Sequence, residues 1–195
     1  MARQITKLKG IESTAIELFA SRGLAQVTVK EIAENANCAE GALYRHYKSK
    51  EEMAWLLFRR EVEKFGARLS KVLHSQESFS QRIRASIELF YKFFDEDRIT
   101  FSFILLAQHD FPADWKINPT FNPDTLVAEF IKKGMKEGKV RIPDASLGAA
   151  MVLGLVLQPA TMCAEGKLKG PLVKKAKIIE DACLKILDVR EEAVH

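Results

Sequence analysis

Three residues, Asn37-Cys38-Ala39, separate a pair of runs that are each too short to hold a helix in water alone. The first, "TVKEIAENA" (28–36), gathers Ile32, Ala33 and Ala36 on one side. The second, "EGALYRHY" (40–47), can place Leu43 and Tyr47 on one face because residues four apart meet on a helix. Neither run can bury its apolar side unaided, so both must lean on a third element. Ile11, Ala15, Leu18 and Phe19 supply it, spaced i, i+4, i+7, i+8 along an amphipathic first helix. Three small helices with a tight break between the last two make a helix-turn-helix. Its punctuation is legible. Gly23 suits a left-handed C-terminal cap, Thr28 and Glu31 fit an S/T-x-x-E capping box, and Asn37 tolerates a left-handed turn.

The rest of the chain also reads as helix. "SKEE" (49–52) is a second capping box, and Phe58, Val62, Phe65, Leu69 and Val72 stripe the long helix it opens. Phe79, Ile83, Ile87, Phe90 and Phe94 stripe another. Residues 99–106, "ITFSFILL", are apolar on all sides and are expected to be buried. An irregular stretch, 109–123, ends at Asn122-Pro123, an N-cap followed by proline at the first helical position. The helix after it runs to about Gly138. Asp144 caps the next, whose residues 147–164 are almost wholly apolar. Gly170-Pro171 opens the last, with Leu172, Ala176, Ile179, Cys183 and Ile186 inward. No segment alternates with period two, so the expected class is all-α, with domains at 1–64 and 65–195.

Charge locates the partner. Residues 1–50 hold eight Lys or Arg against five acids, a net +3 of the chain's +4. That places the cations on the helix-turn-helix, as a polyanion-binding domain requires. In this motif the third helix enters the DNA major groove. Gly41 and Ala42 are small enough for close backbone approach. Tyr44 and His46 can hydrogen-bond phosphates, and Arg45 can reach a phosphate or guanine O6/N7. Lys48 and Lys50 stand where further phosphates would lie. Thr28, at a helix start with Lys30 beside it, offers another phosphate contact. Glu40 favours the helix dipole and can also accept from a cytosine amine.

The segment "TVKEIAENANCAEGALYRHYKSKEEM" resembles the helix-turn-helix of the tetracycline-repressor family. The resemblance rests on G-x-L-Y-x-H-[FY]-x-x-K, here Gly41, Leu43, Tyr44, His46, Tyr47 and Lys50. It implies an N-terminal DNA-binding domain and a C-terminal helical domain for effector binding and dimerisation. It implies a cytoplasmic homodimer joined through its last two helices, a palindromic operator in double-stranded DNA, and repression relieved by a small molecule. Ala39 stands where the family often has a Ser or Thr cap, and Glu40 where a polar or basic residue is common. The alternative these departures support is a ligand- or partner-binding module of the same fold without specific DNA binding.

Other chemistry finds no pattern. His46, His74, His109 and His195 show no metal-ligand spacing, and no nucleophile motif or glycine-rich phosphate loop occurs. No enzyme, metal or cofactor is expected. Cys38, Cys163 and Cys183 are odd in number and widely spaced, as in a reducing cytosol. The basic first ten residues precede no apolar signal core. The run 147–164 is interrupted by Gln158-Pro159, and its small residues suit helix–helix contact at a dimer interface rather than a membrane span. Aromatic residues crowd 79–130 beside the irregular stretch. The expected effector pocket draws on Phe90, Phe94, Phe101, Gln108, His109, Trp115, Phe130, Gln158, Thr161 and Met162, and takes a largely apolar ligand.

Overall fold

The computed structural model describes residues 2–107, 110–112 and 114–190. Among them there is no strand, and nine α-helices follow in order. They are α1 (Ala2–Arg22), α2 (Val29–Asn35), α3 (Glu40–Tyr44), α4 (Lys50–Leu73), α5 (Phe79–Glu96), α6 (Arg98–Ala107), α7 (Pro123–Lys136), α8 (Ala145–Ala164) and α9 (Ala176–Ile186). Short 3-10 turns at Leu24–Gln26, Pro119–Phe121 and Leu172–Lys175 link them. The chain forms two compact units, Met1–Val62 with Ile99–Lys116, and Glu63–Arg98 with Ile117–His195.

The first unit buries Ile11, Ala15 and Phe19 of α1, Ile32 and Ala33 of α2, Leu43 of α3 and Phe58 of α4. Helix α6 belongs to it by packing, although it follows α5 in sequence. The Phe103 ring lies 5.9 Å from Phe19 and 6.5 Å from Phe58. Helix α6 is covered on one side only, contrary to the expectation for 99–106: Phe101 and Phe103 are buried, but Ile99 is 47% exposed. Ile104 and Leu105 are half-buried. Beyond α6, Phe111 and Trp115 pack on Trp55 at 5.2 and 5.5 Å between ring centroids.

In the second unit the α5 stripe turns inward as Phe79, Ile83, Ile87, Tyr91 and Phe94. Tyr91 takes the place expected for Phe90, which is half-buried and meets Phe65 edge-on at 5.7 Å. On α9 the inward set is Ala176, Glu180 and Cys183, followed by Leu187, in place of Ile179 and Ile186. A 3.6-residue period allows either spacing. Burying Glu180 is tolerable because Arg84 and Lys177 reach its carboxylate at 2.8 and 3.4 Å. Helix α8 is long and apolar enough, by length and composition alone, to cross a membrane. It buries Gly148, Ala149, Val156, Ala160 and Cys163 on one side. Leu147, Met151 and Met162 are exposed on it, and Ile178 of α9 is 71% exposed.

Candidate nucleic-acid interface

Backbone caps set the geometry of the reading edge. The Thr28 hydroxyl accepts from the Glu31 N–H at 3.2 Å, and the Glu31 carboxylate takes the Thr28 N–H at 2.8 Å. Those bonds, with Arg22 at 2.9 Å, hold the Glu31 carboxyl down at about 2. The Thr28 hydroxyl proton also goes to Glu31, so this side chain is engaged locally rather than offered to a phosphate. Asn37 carries the left-handed turn at φ 50°, and the Cys38 N–H closes it on Ala33 O at 2.9 Å. Helix α3 then starts at Ala39 without a side-chain cap.

The expected third helix to Tyr47 is shorter, ending at Tyr44, with His46 and Tyr47 N–H groups both turned back to Leu43 O. The reason lies downstream. Ser49 caps the Glu52 N–H at 3.1 Å, and the Glu52 carboxylate takes the Lys48 N–H, so these groups already serve the start of α4. Glu40, Gly41, Tyr44, Arg45, His46 and Lys48 are exposed together along α3 and the turn after it, with Ala42 half-buried. Tyr44 is 56% exposed, large for an apolar ring without a partner. A Cβ built on Gly41 meets nothing within 4 Å, and its φ is not positive. Neither space nor backbone conformation requires glycine there. Lys30 is exposed, with Glu34 at 3.9 Å. Lys50 is turned inward: its ammonium donates to Leu24 O at 2.8 Å and steadies the turn between α1 and α2.

One network behind this edge has no signature in spacing. Glu12 of α1 is 8% exposed. One of its carboxylate oxygens accepts from the Tyr47 hydroxyl at 2.6 Å, the other from Arg60 of α4 at 2.6 Å. Burial first, then the Glu12 bond, pushes the Tyr47 phenol well above its ordinary value, so it stays a donor. The node ties the residue that ends the reading segment to both α1 and α4. The only hint in the sequence is that Glu12 follows Ile11 on the apolar side of α1. A double-mutant cycle with Glu12→Gln and Tyr47→Phe is expected to show a coupling of about 1–2 kcal/mol in thermal or denaturant unfolding. Coupling near zero would mean that the 2.6 Å bond contributes nothing.

The expected pocket residues are divided between the two units. Gln108 and His109 lie outside the described residues. Phe101 and Trp115 belong to the first unit. Gln158 and Met162 are exposed on α8, four residues apart and so on one side of it. Phe94 is buried with the Arg98 guanidinium 5.0 Å over its ring. Phe130 stacks on Phe79 at 4.4 Å. Thr161 is half-buried and donates to Leu157 O at 3.2 Å.

Residues 11–54 match the bacterial regulatory proteins of the tetR family. The chain is 31% identical over 83 residues to the HTH-type transcriptional activator FasR of Mycolicibacterium smegmatis, covering 43% of this chain and 38% of that one. It is 26% identical over 152 residues to the nucleoid occlusion factor SlmA of Vibrio atlanticus, covering 75% and 77%. Its fold superposes on the transcriptional regulator FadR of Bacillus subtilis, solved in complex with stearoyl-CoA. The TM-score is 0.78 at 20% identity, over 90% of this chain and 97% of that one. The matched span holds the capped α2, the Asn37 turn and the exposed α3 edge in one piece; residues 11–54 are a tetR-type helix-turn-helix, and the chain is a DNA-binding transcription regulator.

Proposed function

We propose that the protein represses transcription as a cytoplasmic homodimer on a palindromic operator and releases it when a long-chain acyl thioester binds the second unit. The observation that carries the reading is the exposed edge from Glu40 to Lys48, with Tyr44, Arg45 and His46 exposed in a row and a Cβ on Gly41 meeting nothing within 4 Å. Residues 1–64 serve as the DNA-binding domain and 65–195 as the effector and dimerisation domain. Tyr44, His46 and Lys48 hold phosphates, and Arg45 reads a base. The outward apolar side of α8, with Ile178 of α9, supports pairing with a second copy. Such a dimer sets two edges one DNA turn apart, roughly 34–36 Å. Phe90, Phe94, Phe130 and Thr161 lie in the second unit, where an apolar effector would bind. The acyl thioester comes from the stearoyl-CoA held by the B. subtilis regulator of the same fold.

Selection of bound fragments from host genomic DNA at near-physiological salt tests the reading. A palindrome beside a few operons supports it. Sites strewn along the chromosome would favour the second reading, a nucleoid-occlusion role, which the SlmA match over 75% of the chain suggests. No enriched sequence would leave a module without specific DNA binding. Arg45→Ala is expected to weaken operator binding about tenfold and to relax preference at one base position per half-site. Equal weakening on operator and random DNA would make Arg45 a phosphate contact.

A further inference from the structure

Tyr91 heads the fully buried side chains at 0% exposure, and its phenol oxygen has no hydrogen-bond partner among the described residues. Buried hydroxyls are almost always paired, so this one calls for an explanation. Phenylalanine would fill the same volume without leaving a buried hydroxyl unsatisfied. The other unpartnered buried atom, Arg82 Nε, has a structural setting: the same guanidinium donates to Leu73 O at the end of α4, at 3.0 Å, and lies over the Phe130 ring. Tyr91 has none.

Its surroundings define what it could take. Helix α5 sets it against α9 and the turn Leu172–Lys175, among Ile87, Phe94, Leu172 and Cys183, each at most 3% exposed. Asp95, one turn along α5, already accepts the Leu172 and Val173 N–H groups at 3.0 and 2.9 Å. Burial raises the Cys183 thiol to about 11, so it stays neutral. With a carboxylate one turn away and an apolar lining, a carboxylate or phosphate group at this hydroxyl is disfavoured. An uncharged carbonyl in an apolar setting suits a phenol donor.

We propose that the Tyr91 hydroxyl donates to the acyl carbonyl oxygen of a thioester or ester, a group that bears no charge of its own, whose chain enters the packing of α5 against α9 and the Leu172–Lys175 turn. This rests on the acyl-effector reading above. Because Tyr91 is closed in, the effector binds only the state in which α5 and α9 have moved apart. It therefore has the differential affinity for two conformations that any ligand-driven switch requires. Helix α9 also carries the exposed Ile178, so the same displacement alters the face proposed for dimerisation.

The test is Tyr91→Phe, with binding of stearoyl-CoA, stearate and CoA measured by calorimetry and melting of the ligand-free protein measured beside it. The expected result is a ligand-free melting temperature equal to or above wild type and unchanged operator binding. Stearoyl-CoA is expected to bind the variant about tenfold more weakly, and stearate and CoA to bind wild type far more weakly than stearoyl-CoA does. Equal stearoyl-CoA affinity in variant and wild type overturns the role of Tyr91 and leaves the acyl effector standing. Equal affinity of wild type for stearate and stearoyl-CoA overturns the uncharged carbonyl. Failure of wild type to bind stearoyl-CoA overturns the effector reading and this proposal with it.

Discussion

Gly66→Ala lowers the melting temperature by roughly 6–12 °C, the shift that about 3 kcal/mol produces in a chain of this size. A Cβ placed on Gly66 falls 1.7 Å from Phe121 O and 2.6 Å from Phe121 C. Both are backbone atoms, so no rotamer change relieves the clash; the turn Pro119–Phe121 must lift from α4. Lifting it strains the bond in which Asn118 N–H donates to Glu63 at 3.2 Å, which seats the same turn. Against this, alanine gains up to about 1 kcal/mol of helix propensity over glycine. The clash wins because overpacking against backbone sits at the upper end of such costs. Gly10→Ala is the control. Gly10 lies inside α1, is exposed and has nothing within 4 Å of a built Cβ. It is expected to stabilise by about 0.5–1 kcal/mol. A melting temperature for Gly66→Ala within about 2 °C of wild type would mean that the turn rests more loosely on α4 than the structure has it.

Local signals in the sequence were reliable and long-range ones were not, for a physical reason. The Thr28–Glu31 box, the left-handed Asn37, the Asn122-Pro123 start and the Asp144 cap all stand as expected, because each acts within four residues. So does most of the long α4 stripe, which closes on Leu73 rather than Val72. Phe90 against Tyr91, and Ile179 against Glu180, were decided by distant partners. Tyr91 faces α9, and Glu180 has Arg84, nearly a hundred residues away in sequence, to pair with. The Glu12–Tyr47–Arg60 node is of the same kind, joining positions 35 and 48 residues apart. The helix-turn-helix was legible because it is one short segment with a motif, and the family match covers it. The rings expected around an effector fall in both units, and a count of rings in sequence cannot tell which unit each fills. Trp115, counted with those rings from sequence, packs on Trp55 of α4 in the first unit.

If the chain pairs through α8 as proposed, Met151→Lys is expected to turn the proposed dimer into a monomer and to weaken operator binding by about two orders of magnitude or more. Met151 is 38% exposed in the protomer, on the side of α8 that also shows Leu147 and Met162. Within one protomer a lysine there keeps its ammonium in water, so folding stability changes by only about 0.5 kcal/mol. Between two protomers the same change occurs twice across a two-fold axis, and sets two like charges in an apolar contact. The linked pair of reading edges then becomes two independent ones. Linking two sites adds about 10²–10⁴ to affinity through effective concentration, and that gain is what separation removes. Sedimentation reads the first effect and operator titration the second, while thermal melting guards against misfolding. If Met151→Lys remains a dimer with full operator affinity, the apolar side of α8 serves some other contact. A monomer that kept full affinity would instead show that α3 reads its site without a partner, and the palindrome would lose its physical basis.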